Sequence, residues 1–249
     1  MVRTRVIPTL LIEGQKLVKG KKFNKHRYIG DPINAIKIFN EKEVDELLIF
    51  DRQASSKNGP NFDYLSQLCS EAFFPVGYGG AVSSLSDVKK LLRIGIEKVV
   101  FNTTAFFNPD LIKKVVNEVG AQSVVVCIDY KKTFFHGSRV FVKNGNHNTK
   151  ITPLEYAQSI QDLGIGEVIL TNIDKEGSYT GYDIELLKEV SQILSVPVVA
   201  NGGAGDFNHM KDVITQTNVH AVAAGSLFVF YGPLKAVLIN YPKSEDVFN

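Results

Sequence analysis

Two short glycine-rich segments could hold phosphate groups. Gly79-Gly80-Ala81 and Gly202-Gly203-Ala204-Gly205 each follow an apolar run, and such small residues let backbone N–H groups approach an anion closely. Asn102-Thr103 and Gly225-Ser226 end the next apolar run in each case and add further donors. The sequence therefore predicts two phosphate cradles and a ligand with a phosphate at each end. Tight turns without a ligand are the alternative, and Ala81 makes the first cradle the less open one.

Acidic and basic side chains stand close to these segments. Asp129 directly follows the apolar residues Val125–Ile128 and could act as a general acid or base. The alternative is that its carboxylate only caps the next turn. Asp51 and Asp174 follow two other apolar runs. Lys19 lies in a long first loop, where it could fold over an anion or remain a solvated charge.

Two further groups of charged residues are candidates for a functional role: a basic insertion and a set of charges at the starts of four apolar runs. Residues 131–150 hold four lysine and arginine side chains besides Lys150, and this segment could cover the site or form a mobile hairpin. Arg5, Glu46, Lys98 and Glu167 each begin an apolar run. They would be exposed to solvent at the base of the molecule, or would point inward and pair with one another, because unpaired buried charges are costly.

Eight apolar runs position these residues. Each is followed by loop residues and then, in most cases, by a helical periodicity. Asp31-Pro32, Asn108-Pro109 and Thr152-Pro153 combine a capping residue with proline at the first helical position, which is typical of a helix start. The runs are residues 5–11, 46–51, 75–80, 98–102, 123–129, 167–171, 196–200 and 221–225. The alternation predicts a closed parallel (β/α)8 TIM barrel, with an open doubly wound sheet as the alternative.

The two halves of the chain resemble each other. Asp174 follows Asp51 by 123 positions, and the same offset relates Gly79-Gly80 to Gly202-Gly203 and Asn102-Thr103 to Gly225-Ser226. One offset aligns small or polar residues at three pairs of strand ends, which generic repetition of β/α units would not do. The pattern predicts two duplicated half-barrels.

Composition limits the function. The 249 residues, 44% of them hydrophobic, fit one barrel domain over residues 1–249. A net charge of +2 gives no basic excess for nucleic acid or an anionic membrane, and no apolar run approaches a membrane span. Cys69 and Cys127 have no metal-ligand spacing. We expect a cytoplasmic protein without metal or other cofactor, and with a buried free thiol at Cys127.

Taken together, these motifs resemble the cyclase subunit (HisF) family of imidazole glycerol phosphate synthase. The resemblance runs from Arg5 to about Tyr241 and includes Val18-Lys19-Gly20, Ile128-Asp129, Gly181-Tyr182-Asp183 and both cradle segments. It implies a separate HisH-like glutaminase that docks at the strand starts, in a heterodimer, and sends ammonia past Arg5, Glu46, Lys98 and Glu167. It implies a bisphosphorylated substrate bound by Lys19, Asp51, Gly80, Asn102, Thr103, Thr171, Asp174, Gly177, Gly202, Gly203, Gly225 and Ser226.

One departure from the family decides between functions. Strand one of the family ends in an aspartate that works with the strand-five aspartate, whereas this chain has Leu11, and Leu11 cannot transfer a proton. Ala81, Ser83 and Glu176 are milder differences. Asp129 is thus the remaining candidate acid/base. The pattern is similar to HisF-like paralogues of surface-polysaccharide (lipopolysaccharide) gene clusters, which amidinate a sugar.

Two alternatives stay open. The first is an authentic cyclase of histidine biosynthesis, a lyase that converts the phosphoribulosyl-formimino ribonucleotide and ammonia to imidazole glycerol phosphate and aminoimidazole carboxamide ribotide. The second is a non-catalytic scaffold that activates a glutaminase. Neither cysteine lies in a Gly-x-Cys-x-Gly nucleophile turn, so glutamine hydrolysis would have to come from a partner.

Overall fold

Eight parallel strands form a closed barrel in the computed structural model, which describes residues 4–57, 59–242 and 247. Each barrel strand pairs with the next one along the chain, and β8 pairs with β1 to close the barrel. The strands are β1 (Arg5–Glu13), β2 (Leu47–Asp51), β3 (Val76–Gly79), β4 (Lys98–Phe101), β5 (Val124–Thr133), β6 (Glu167–Asn172), β7 (Val198–Asn201) and β8 (Ala221–Ala224). The predicted barrel is confirmed, and the open sheet is wrong.

Helices surround the barrel. The three predicted helix starts are confirmed, since Asp31, Asn108 and Thr152 each accept backbone N–H hydrogen bonds as N-caps before a proline. The helices are α1 (Pro32–Glu41), α2 (Phe62–Glu71), α3 (Leu85–Arg93), α4 (Thr103–Phe107), α5 (Pro109–Val119), α6 (Pro153–Gln161), α7 (Ile184–Ile193), α8 (Phe207–Gln216) and α9 (Ser226–Val229), with 3-10 turns at Ala54–Lys57 and Ala121–Ser123. Within the described residues no helix is long and apolar enough to cross a membrane.

Additional strands extend from the barrel. Lys16–Lys21 and Asn24–Gly30 form an antiparallel hairpin on β1, so the long first loop expected from the sequence is in fact a two-stranded extension. After β5, Gly137–Val142 pairs back on β5 and His147–Asn148 pairs with Gly137–Val142. The short strands Phe230–Tyr231 and Ala236–Val237 form a separate pair.

The apolar residues form two cores because residues along a strand alternate between its faces. The larger core lies between the barrel and the helices. The smaller core fills the barrel lumen and consists of Ile7, Leu48, Val100, Val125, Cys127, Ile169, Val199, Ala221 and Ala223, with Phe50 packed against it. The lumen is therefore apolar along most of its length.

The two halves of the barrel place their aligned residues at equivalent positions. The short helix α4 begins directly after Asn102, and the short helix α9 begins directly after Gly225. Gly79 ends β3, and Gly202 follows β7. The geometry supports the predicted duplication.

Candidate active site

A cavity of about 960 Å³ opens at the carboxyl ends of the barrel strands. The predicted site residues that line this cavity are Lys19, Asp51, Gly80, Asn102, Thr103, Asp129 and Thr171, together with Leu11. Its cationic lining, from Lys19, Lys22, Arg52, Lys131 and Lys143, outnumbers the carboxylates of Asp51, Asp129 and Glu176. The cavity thus suits an anionic ligand.

Asp129 lies where the lumen meets the cavity and is only 8% exposed. The Cys127 thiol donates a hydrogen bond to its Oδ1 over 3.1 Å. Burial raises the pKa of Asp129 to about 6, against hydrogen bonds from Cys127 and Thr171 that lower this pKa. A carboxylate with such a pKa can both accept and release a proton near neutral pH.

Leu11 lies two residues before the end of β1, at the cavity wall, beside Phe50 of β2 and Val18 of the first hairpin. Among the described residues that line the cavity, the carboxylates other than Asp129 have partners of their own. Asp51 accepts hydrogen bonds from the backbone N–H groups of Gln53 and Ala54. Burial raises the pKa of Asp51 as well. The β1 end therefore adds an apolar surface to the site instead of a second acid/base.

The first cradle is open to the cavity. Gly80 and Ala81 line it, and the Ala81 backbone has a positive φ of 48°, which an alanine rarely adopts. Asn102 Nδ2 donates to the carbonyl of Cys127 at 3.0 Å. Thr103 Oγ1 accepts a hydrogen bond from the backbone N–H of Lys143 at 2.9 Å.

The second cradle is covered. A Cβ atom at Gly203 would lie 2.2 Å from the carbonyl oxygen of Gly181, and one at Gly177 would lie 2.8 Å from that of Gly20. The cavity lining includes none of Gly202, Gly203, Gly225 and Ser226, which were predicted for this cradle. It also lacks Gly177, a further binding residue that the resemblance implied. The second cradle is thus less exposed than the first, whereas the presence of Ala81 in the first cradle predicted the opposite.

Lys19 is part of that cover. It is only 7% exposed and forms an ion pair with Glu176, so it is not the solvated loop charge that the sequence left open. Its Nζ would lie 2.2 Å from a Cβ atom at Gly225. The ammonium group therefore stands directly over the second cradle.

The basic insertion after β5 forms part of the cavity wall. Lys143 and Gly145 line the cavity, and Lys131 Nζ donates to the carbonyl of Gly145 at 3.0 Å. Asp174 does not line the cavity; its Oδ2 accepts the backbone N–H of Lys132 at 2.8 Å and so holds the hairpin. The prediction that this segment covers the site is confirmed for its inner residues.

The four basal charges form a closed ring at the opposite end of the lumen. Arg5 pairs with both Glu46 and Glu167. Lys98 Nζ lies 2.8 Å from Glu46 and 2.9 Å from Glu167. The two carboxylate side chains are 3% and 7% exposed. The inward, paired arrangement is confirmed, and the solvent-exposed arrangement is wrong.

Several site residues were not predicted as such from the sequence. Asn201 ends β7 and lies beside Thr171. Cys127 was expected only as a buried thiol, yet it contacts Asp129. His26 and Lys22 reach the cavity from the first hairpin. The position of Asn201 at the end of an apolar run was the one signal available for it, whereas the hairpin contacts depend on tertiary pairing.

Comparison with known proteins assigns the family. The family model described as "Histidine biosynthesis protein" matches residues 5–234. A protein of Pseudomonas aeruginosa named "Putative imidazole glycerol phosphate synthase subunit hisF2" is 46% identical over 243 residues, which cover 97% of each chain. The chain is a HisF-like paralogue and belongs to the histidine biosynthesis protein family. HisF-like relatives with corresponding names occur in Leptospira interrogans, at 43% identity over 99% of this chain and 98% of the relative, and in Vibrio vulnificus, at 41% over 99% and 95%.

The candidate site of this HisF-like chain lies at one mouth of the barrel. The described part of the chain has no group of His, Cys, Asp and Glu side chains suited to a metal ion. Side chains from β1, β2, β4, β5 and β6 instead meet at one mouth, above a lumen that ends in the charged ring. The arrangement can bind an anionic ligand above the apolar lumen, beside the buried carboxyl group of Asp129.

Proposed function

We propose that this chain is the synthase subunit of a glutamine-dependent amidotransferase. A separate HisH-like glutaminase binds beneath the ring of Arg5, Glu46, Lys98 and Glu167 in a cytoplasmic heterodimer and releases ammonia. The ammonia passes through the lumen and reacts with a phosphorylated small molecule in the cavity. The acceptor is a sugar of surface-polysaccharide (O-antigen) biosynthesis, on which an amidino group is formed, and it is not the ribonucleotide of histidine biosynthesis.

The observation that carries this proposal is Leu11 near the end of β1. Cyclisation and cleavage of the ribonucleotide need proton transfers on two sides of the substrate, and an apolar side chain supplies none. The apolar lumen supports the ammonia route, because burying neutral ammonia costs far less free energy than burying an ammonium ion. The barrel thus keeps features suited to ammonia delivery and lacks half of the cyclase acid/base pair.

An authentic cyclase is the second candidate, and one observation favours it. Burial raises the pKa of Asp129 to about 6, so this single carboxyl group can act as a base and then as an acid near neutral pH. In that case Asp129 alone would serve both proton transfers, and the relatives' names would apply to this chain's activity.

Hydrogen-exchange footprinting of the complex with the HisH-like glutaminase of the same genome tests the docking face. We expect protection at the strand starts that carry Glu46 and Lys98. Lys98→Glu should weaken the complex, whereas Lys89→Glu, in an exposed pair with Glu118 on the outer helices, should not. Protection around Gly202 and Gly203 in place of the ring would contradict ammonia entry from below.

Mass spectrometry of the reaction products separates the acceptors. With 15N-amide glutamine, the complex and a mixture of phosphorylated and nucleotide-linked sugars, we expect the label in a sugar product. The ribonucleotide of histidine biosynthesis serves as the matched alternative acceptor. Label in imidazole glycerol phosphate at a comparable rate would favour the cyclase instead.

A further inference from the structure

Cys127, Thr171 and Asn201 form a hydrogen-bonded cluster around Asp129 where the lumen opens into the cavity. The strand register places Asp129, Thr171 and Asn201 side by side on β5, β6 and β7. Cys127 Sγ is 3.1 Å from Oδ1 of Asp129 and 3.5 Å from Oγ1 of Thr171. Asn201 Nδ2 lies 3.1 Å from the same Oγ1. All four side chains are at least nine-tenths buried.

The directions of these hydrogen bonds follow from their donors. The Asn201 amide donates to Thr171 Oγ1, which leaves the Thr171 proton free to point toward the thiol or the carboxylate. Burial raises the pKa of the Cys127 thiol well above its ordinary range. The sulfur therefore keeps its proton and acts as a donor. The thiol thus donates to the Asp129 carboxylate, and a hydrogen bond from the Thr171 hydroxyl lowers the pKa of the same carboxyl group.

The charge of the Asp129 carboxylate is not balanced by an ion pair within the described residues. Among the described residues, no lysine, arginine or histidine forms an ion pair with Asp129, and Lys19 is paired with Glu176 instead. Glu176 places a like charge near Asp129 and raises its pKa further. From β1 the residues Thr9, Leu10 and Leu11 line the cavity. The other charged or titratable lining groups are Lys22, His26, Asp51, Arg52, Lys131 and Lys143. The Cys127 thiol and the Thr171 hydroxyl are therefore the groups that offset the cost of burying the Asp129 carboxylate.

We infer that Cys127 is a positioning residue whose thiol, together with the Thr171 hydroxyl, holds Asp129 in the ionised and oriented state from which it accepts a proton. Charge-assisted hydrogen bonds are stronger than neutral ones, so loss of either donor favours the protonated carboxyl. Asn201 acts one step further away by orienting Thr171. The inference rests on the acid/base role given to Asp129 in the proposed function, but its test needs no substrate.

The test is a carbon-13 NMR titration of the Asp129 carboxyl group in the full chain, assigned with Asp129→Asn. We expect a midpoint of about 6 in the unmodified protein. Cys127→Ala removes the donor and should raise the midpoint by about one unit. Cys127→Ser keeps an O–H donor and should titrate within a few tenths of a unit of the unmodified protein. Cys69→Ala, on α2, serves as the control and should leave the titration unchanged.

The second donor gives an independent arm if Cys127→Ala does not fold. Thr171→Val removes the hydroxyl at similar volume and should also raise the midpoint, while Thr171→Ser should restore it. Folded donor-less variants that titrate like the unmodified protein would overturn the inference. Failure of the proposed function would appear separately, as absent nitrogen transfer in a protein whose Asp129 still titrates as described.

Discussion

At the scale of single residues, the site depends on a buried carboxyl group whose charge is costly. The pKa of Asp129 is about 6 in the folded protein, against an ordinary value of 3.8. The folded state therefore binds a proton more tightly than the unfolded state between these values, and stability falls as pH rises through this window. Above about pH 6 the whole penalty is present.

Asp129→Asn should therefore stabilise the protein at pH 7.5, because the amide removes the buried charge and keeps an acceptor for Cys127. The shift of roughly two pKa units corresponds to a gain of about 3 kcal/mol. Urea unfolding across pH 4 to 8 measures it. The gain should shrink toward pH 4, and a gain that does not vary with pH would show that burial of charge is not its cause.

Ala81 gives a second residue-scale prediction. Its positive φ of 48° costs an alanine about 1–2 kcal/mol relative to glycine, while glycine loses more backbone entropy on folding. Ala81→Gly should therefore raise the free energy of unfolding by about 0.5–1 kcal/mol. Ala72→Gly is the matched control, since Ala72 has a φ of −91° and should lose stability. Equal effects at the two positions would argue against strain at Ala81.

At the scale of elements, two hydrogen bonds to side chains outside the hairpin hold the hairpin after β5 at the cavity. Asp174 accepts the Lys132 N–H at 2.8 Å, and Thr103 accepts the Lys143 N–H at 2.9 Å. Asp174→Ala should increase amide hydrogen exchange in Gly137–Val142 several-fold and leave the barrel strands protected. Asp110→Ala, at the start of α5, is the control. Faster exchange throughout the barrel would mean that Asp174 supports the fold as a whole.

Elements differed in how far the sequence could predict them. The barrel strands and the helix starts at Asp31, Asn108 and Thr152 depend on local apolar runs and caps, and both were predictable. The pairing of Lys16–Lys21 with Asn24–Gly30 was not, because neither strand has a regular apolar alternation. This hairpin places Lys19 over Gly225, a contact between residues far apart in sequence. Site residues on strand ends were therefore found, whereas the cover of the second cradle was missed.

At the scale of the whole molecule, the charged ring closes one end of the lumen. Lys98→Met would leave Glu46 and Glu167 buried with only Arg5 as partner, and should destabilise the protein by about 2–3 kcal/mol. Lys89→Met breaks an exposed pair and should cost less than about 0.5 kcal/mol. Guanidinium unfolding of both variants measures the difference. Equal small effects would show that the ring is not a tightly coupled network.

At the same scale, we propose that this HisF-like barrel delivers ammonia to an acceptor other than the ribonucleotide of histidine biosynthesis, because Leu11 stands where the family has a carboxylate. The most direct test measures imidazole glycerol phosphate formation from that ribonucleotide with saturating ammonium salt, beside Leu11→Asp. Each acid/base contributes about a hundredfold or more. We therefore expect little or no turnover by the unmodified protein and partial recovery in Leu11→Asp. Turnover by the unmodified protein at about 1 per second or faster, a rate normal for an enzyme, would contradict the claim and make Asp129 a sufficient catalyst.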